Sequence, residues 1–342
     1  MKQHETRPEV AMNKIQEIFK KQGTRALEMA RKAVLGEKLQ SQKAQQALTY
    51  FMTEYWHDTA RPSLMALTCK AVGGNPELTQ PVAVPMILIS GAIDIHDDII
   101  DQSRRKDGRP TVYGKFGKEI ALLIGDALLF KGLTLLNNAI VKGLPTEKMR
   151  EIVCLVKSMF FELGDAEALE LEYRGRLDLT SKAYLQLVRL KAADVEAHTH
   201  ISAILGNASE KETKALSEYG RMLGMMIIIR DDIIDLMIPE ECRSRIRKEC
   251  LPLPLLYGLE DMQLGPRLKT MLQRKAIGNR EHQEILNTIY GSKAMKKYDD
   301  LMKKIGTKAI DKLRYLKYQK GELELLAKAL LQSMEKDART ER

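Results

Sequence analysis

Two identical pentapeptides carry the most specific chemistry in this chain. Asp97-Asp98-Ile99-Ile100-Asp101 and Asp231-Asp232-Ile233-Ile234-Asp235 each place three carboxylates within five residues. On a helix the first and fifth acids share a face, with the second beside them. Carboxylates this close repel one another unless solvent or cations lie between them. Hard oxygen donors of this kind suit Mg²⁺, which takes one or two carboxylates and completes its shell with water and phosphate oxygens. Both copies end strongly apolar segments, Pro81 to Ile100 and Met222 to Ile229. Acids are unfavourable at a helix C-terminus, where the macrodipole is already negative. Two such ends predict a site for metal and phosphate, not two solvated caps.

Other groups are weaker candidates. Lys191 stands in the mostly apolar stretch Leu185 to Ala193, where a functional lysine is expected. Asp194 and His198 follow it at helical spacing, with Glu196 and His200 close by, and are candidates for an acid–base or acceptor role. His96, just before the first motif, is expected to be a hydrogen-bonded structural residue.

Composition sets the outer bounds. The 342 residues include 55 Lys and Arg against 46 Asp and Glu, a net charge of +9. That balance favours an anionic partner such as a phosphorylated substrate. Local basic groups lie at Arg104–Lys106, Arg243–Lys248 and Lys293–Lys320. None is interleaved with aromatics, so nucleic acid is not expected, and most of these charges read as solvated helix faces. Cys69, Cys154, Cys242 and Cys250 form no CxxC pair. Neither a zinc site nor a disulfide framework is expected, and a reducing, cytoplasmic setting fits. The polar stretch Met1 to Val10 lacks the apolar core of a signal peptide. Pro81 to Ile100 is interrupted by Asp94, His96, Asp97 and Asp98, so no transmembrane segment is expected.

The elements that must position these residues are helical almost throughout. Periodicity predicts helices near 8–34, 38–57, 61–73, 77–101, 116–141, 145–172, 180–207, 209–236, 265–277, 281–290, 294–316 and 320–337. Gly73-Gly74-Asn75-Pro76, Asp107-Gly108-Arg109-Pro110 and Gly143-Leu144-Pro145 break the chain between them. Thr180 and Ser209 are expected N-caps, the latter with Glu212 three residues on. No strand of useful length and no long linker is visible. Residues 1–342 read as one large all-α domain.

From about Arg61 to Tyr257 the chain resembles the all-trans (E-type) polyprenyl diphosphate synthases, or polyprenyl synthetases. The resemblance rests on Arg61-Pro62, Ala71-Val72-Gly73-Gly74, Ile95-His96 with the first motif, Gly108-Arg109-Pro110-Thr111, Gly125-Asp126-Ala127-Leu128, Lys191, and the second motif. The segment Leu251 to Leu259 adds to it. It implies an antiparallel helical bundle of the isoprenoid synthase type around an apolar cavity, and a prenyltransferase of isoprenoid biosynthesis. The six motif aspartates then hold three Mg²⁺ ions on the diphosphate of an allylic prenyl substrate. Arg61, Arg104, Arg105, Lys106 and Lys191 bind diphosphate, and Lys191 and the aspartates are catalytic. In the family, bulky aromatics four or five residues before the first motif stop chain growth. Here Ile93 and Ala92 hold those places, which implies chains of C20 or longer. A homodimer is also implied.

The departures from the family fall on one substrate's half of the site. Where the family reads Gly-Gly-Lys-Arg-x-Arg-Pro, this chain has Trp56-His57-Asp58-Thr59-Ala60-Arg61-Pro62. Ser90 stands in the place of a histidine, and Lys106-Asp107 in the place of tandem arginines. Ile227-Ile228 replaces Phe-Gln, Ala192 a threonine, and Asp165 and Ala168 a glutamine and an aspartate. In the family the lost Lys, Arg and His grip isopentenyl diphosphate, and each charge-assisted contact is worth about 1.5–3 kcal/mol. Use of isopentenyl diphosphate is therefore open. Standard elongation leads, with two alternatives: an enzyme that ionises the prenyl diphosphate and uses another acceptor or cyclises the cation, or a non-catalytic subunit of a hetero-oligomeric synthase. Retention of both aspartate motifs weighs against the last.

Overall fold

Apolar residues at three- and four-residue spacing fold nearly the whole chain into helix. The computed structural model describes residues 8–106, 108–141, 143–274 and 276–337. The first helices are α1 (Pro8–Leu35), α2 (Gln42–Tyr50), α3 (Ala60–Ala71) and α4 (Gln80–Ile100). After them come α5 (Val112–Phe116), α6 (Lys118–Val141), α7 (Thr146–Tyr173), α8 (Ser181–Lys191), α9 (Ala193–Leu205) and α10 (Glu210–Met237). The C-terminal part holds α11 (Pro239–Lys248), α12 (Leu253–Leu259), α13 (Gly265–Leu272), α14 (Asn279–Ile289), α15 (Lys293–Lys312) and α16 (Gly321–Asp337).

The packing is organised by two central helices. α4 is buried along most of its length and lies against α6. Gly125 and Gly132 of α6 permit that approach: a Cβ at Gly125 would sit 2.5 Å from His96 Nε2, and one at Gly132 2.7 Å from Ile89 Cγ1. Such distances leave no room for a side chain. α10 packs against α9 and α15. Its start is fixed by Ser209, whose hydroxyl accepts the Glu212 N–H while the Glu212 carboxylate accepts the Ser209 N–H. Both predicted caps are thus present, since the Thr180 hydroxyl accepts from the Ala183 N–H. One apolar core joins α4 to α6 and α7, and another joins α8 and α10 to the C-terminal helices.

Several boundaries differ from the sequence expectation. The expected helix 180–207 is two helices, α8 and α9, meeting at Ala192. No glycine or proline marks that bend. The expected helix 38–57 is α2 followed by a π-helical turn at Phe51–Tyr55. Gly117, with φ +92°, separates α5 from α6 inside the expected helix 116–141. α11 and α12 were not expected, because prolines and charges hide their periodicity.

A short antiparallel ladder also appears, β1 (Arg105–Lys106) against β2 (Arg109–Pro110). Two residues a side are too few to show alternation. Asp107 lies outside the described residues. The stretch Pro76–Ile100 is long and apolar enough to cross a membrane by length and composition alone. However, 72% of its most apolar window is buried within the protein.

Candidate active site

The two aspartate motifs close α4 and α10, and those helices bring them to one cavity of about 670 Å³. Asp97 and Asp231 line it together with Asp94, Glu167, Lys191, Asp194 and Arg61. Its apolar walls include Ile93, Phe160, Leu163, Leu171, Ile227 and Ile228. Acidic groups and an apolar wall therefore border the same space, as an amphiphilic ligand requires.

The short ladder explains how the first motif is held. It folds the chain back from the end of α4, tied by the Ser103 N–H to Asp98 O bond and the Thr111 hydroxyl to Ser103 O bond. The Lys106 ammonium then lies 2.9 Å from Asp98, 3.1 Å from Asp97 and 3.9 Å from Asp94. Asp98 is fully buried, so Lys106 acts as its counter-ion. Arg174 lies 3.4 Å from Asp101.

The second motif has a matching arrangement. Asp232, 1% exposed, accepts from the Tyr184 hydroxyl at 2.6 Å, from Arg245 at 2.6 Å and from the Leu253 N–H at 3.1 Å. Arg245 also reaches Glu249 at 3.2 Å and lies 3.8 Å from Asp235. The middle aspartate of each motif is thus buried on a cation, while Asp97 and Asp231 border the cavity.

Lys191, at the bend between α8 and α9, pairs with Glu167 at 3.0 Å and closely with Glu170. Oxygens of Asp97, Asp101 and Glu167 lie within 4.8 Å of one another. All three are hard carboxylate donors at a distance that a divalent cation can bridge, so the set fits Mg²⁺.

The remaining candidates are placed less centrally. Arg104 lies with its guanidinium carbon 4.9 Å from the Tyr113 ring centroid, and Arg105 donates to the Gly108 carbonyl. Both side chains are largely exposed. Ile93 lines the cavity, whereas Ala92 is fully buried in the packing beside it. Arg61 is held by Asp58 at 2.9 Å and Asp194 at 2.7 Å. His96 lies 3.2 Å from Asp126. Glu196 turns to Arg221 and Ser217, away from the lysine.

Sequence reasoning missed Glu167, Glu170, Tyr184 and Arg245. Glu167 and Glu170 are three apart on α7, as partners of one cation often are, but α7 carries other acids too. Arg245 had the weakest signal: it was one basic residue among several in a group read as solvated.

The crowded acids shift one another's ionisation. Burial pushes Asp98, Asp231 and Glu167 up to about 7, Asp101 to about 8 and Asp232 to about 6. Burial acts the same way on Asp97, but the Lys106 and Lys191 ammoniums outweigh it and hold that carboxyl below its usual value. A raised acid is protonated in the folded protein at pH values where the unfolded chain has lost the proton. Stability then falls as pH rises. Without divalent cation, the thermal midpoint is expected to fall from about pH 5 to about pH 8, and added Mg²⁺ to recover part of the loss at the upper end. A midpoint that rises across this range in differential scanning fluorimetry contradicts the assignment.

Comparison with known proteins points to one family and one fold. The profile of the polyprenyl synthetase family matches residues 41–305, well over half of the chain. A short chain isoprenyl diphosphate synthase from Methanothermobacter thermautotrophicus is 35% identical over 182 residues, covering 53% of this chain and 55% of that protein. The match thus spans little more than half of that relative's length. Geranylgeranyl pyrophosphate synthetase from Pyrococcus horikoshii superposes with TM-score 0.81 at 24% identity, over 93% of this chain and 99% of that one. A polyprenyl synthase from Caulobacter crescentus, in complex with calcium and isoprenyl diphosphate, gives TM-score 0.77 at 19% identity, over 92% and 97%. At these identities the two structures establish the all-α fold alone.

Proposed function

Since this chain belongs to the polyprenyl synthetase family, we propose that it is a Mg²⁺-dependent prenyltransferase acting on an allylic prenyl diphosphate. The observation that carries this reading is the single cavity bordered by Asp97 and Asp231 and walled by Ile93, Phe160, Leu163 and Leu171. In this reading Asp97, Asp101, Asp231 and Asp235, with Glu167 beside them, serve a cluster of three Mg²⁺ ions, while Asp98 and Asp232 hold their motifs in place on Lys106 and Arg245. Bound there, the metal supplies Lewis-acid stabilisation of the departing pyrophosphate.

The chain's own residues do the rest. Lys106 and Lys191 offer ammonium donors beside the first motif, where negative charge collects on the leaving group. Each is already paired with carboxylates, and each is pre-positioned by them. The apolar walls take the prenyl chain and keep water from the allylic carbon once the diphosphate departs.

An unreactive C20 allylic analogue tests the reading by calorimetry. Binding is expected in the micromolar range with Mg²⁺ and at least about 100-fold weaker after chelation, because the carboxylates then repel the diphosphate. Equal affinity in both conditions overturns it.

Chain length follows from the wall. Ile93 stands one helical turn before Asp97 on α4 and lines the cavity. Ile93, standing where a bulky aromatic would stop the chain, supports chains of C20 or longer, and Ile93→Phe is expected to shorten the longest chain accepted by about one isoprene unit. Unchanged lengths in a chromatographic product assay remove Ile93 from that role.

The homodimer is part of the same proposal. Phe130 and Val141 on α6 are 70% and 87% exposed, and Phe161 on α7 is 76% exposed. Exposed apolar side chains this large commonly mark an interface. Sedimentation at the monomer mass of 38.8 kDa at micromolar protein contradicts it.

A further inference from the structure

The end of the cavity beside Arg61 differs in charge from what a second phosphorylated substrate needs. Arg61 is its cation, and two of its guanidinium nitrogens are already held by carboxylates. Nε donates to Asp194 at 2.7 Å and one terminal nitrogen to Asp58 at 2.9 Å. Asp58 is itself fixed, since its other oxygen accepts the N–H groups of Ala60 and Arg61 at the start of α3. Asp94 lines the same end from α4. Lys106 lies 3.9 Å from Asp94 but also serves Asp97 and Asp98, so the carboxylates at this end outnumber the cations that pair them, and an incoming diphosphate meets net negative charge.

The same end keeps hydrogen-bonding capacity unused. Ser90 lines the cavity and is 2% exposed, yet its hydroxyl makes no hydrogen bond with the described residues. Asp194 Oδ1 likewise makes none. His198 lies 3.3 Å from that oxygen, but its Nδ1 is 2.7 Å from the Asp194 carbonyl, which fixes it as a donor to the backbone. Buried polar groups left unpaired are costly, and a ligand that satisfies them gains that energy.

We propose that the Arg61 end of the cavity takes an uncharged, hydroxyl-bearing acceptor in place of a second diphosphate. This rests on the allylic diphosphate site proposed above. The hydroxyl hydrogen-bonds to Ser90 and to Asp194 Oδ1. In the transfer, the allylic C1–O bond breaks and its electron pair leaves on pyrophosphate. The acceptor oxygen supplies the pair for a new C1–O bond, and its proton passes to Asp194.

The test is a calorimetric titration of isopentenyl diphosphate into protein loaded with Mg²⁺ and the unreactive allylic analogue. No binding below about 1 mM is expected, and micromolar binding overturns the inference. The Asp58→Asn variant keeps the oxygen that caps α3 but removes one charge from Arg61. It is expected to bind isopentenyl diphosphate at least about tenfold more tightly than the parent. No gain in a variant with unchanged circular dichroism also overturns the inference. Should the analogue itself fail to bind, the donor site is wrong, and titration of the free protein still reads the Arg61 end.

Discussion

Asp97→Ala and Asp231→Ala are each expected to lower pyrophosphate release from an allylic diphosphate by on the order of 10³-fold. Both carboxylates border the cavity, one from each motif. Either change removes an oxygen ligand from a cation that must stabilise the leaving group. By the usual conversion, the loss corresponds to about 4 kcal/mol of transition-state stabilisation. Asp231→Ala should leave stability little changed or raise it, because it removes one like charge from a crowded group, whereas Asp97→Ala gives up a carboxylate that Lys106 and Lys191 stabilise and should cost some stability. Asp98 and Asp232 give the contrast. They sit on Lys106 and Arg245 inside the protein, so alanine there should unfold the site as well as disable it. An Asp97→Ala protein with parental turnover removes the two-motif mechanism.

Arg245→Met is expected to destabilise the fold by about 3–5 kcal/mol, the usual cost of leaving one member of a buried ion pair uncompensated. Arg245 holds Asp232 at 2.6 Å and Glu249 at 3.2 Å, and it shares Asp232 with the Tyr184 hydroxyl. Methionine keeps much of the volume and supplies no charge. The loss should be greater at pH 8 than at pH 5. Burial already raises Asp232 to about 6, and at the lower pH the stranded carboxyl takes up a proton. Urea unfolding at the two pH values measures the difference. A change under about 1 kcal/mol at pH 8 places Arg245 among ordinary surface charges.

The sequence announced one part of this site and concealed another. The aspartates were legible because each motif packs three like charges into five residues at the end of an apolar helix. Lys191 was legible because a charge interrupts an apolar stretch. The long helices α1, α4, α7, α10 and α15 follow directly from their periodicity. The counter-ions were hidden for a different reason. Glu167, Tyr184 and Arg245 reach the motifs from other helices, and nothing local distinguishes them from surface residues. The bend at Ala192 was equally hidden, since no glycine or proline marks it. The change in charge near Arg61 was visible in the sequence as Asp58 and Thr59 beside that arginine. Only the folded chain shows that Asp58 and Asp194 hold that arginine from two sides.

Release of pyrophosphate is the most direct measurement of the central claim. Purified protein, Mg²⁺ and allylic diphosphates from C10 to C25 suffice, with no other substrate added. The account predicts Mg²⁺-dependent release from at least one of these donors, abolished by chelation and by Asp97→Ala. Tight, Mg²⁺-dependent binding of every donor with no release of pyrophosphate from any of them contradicts it, and would make the protein a binding subunit.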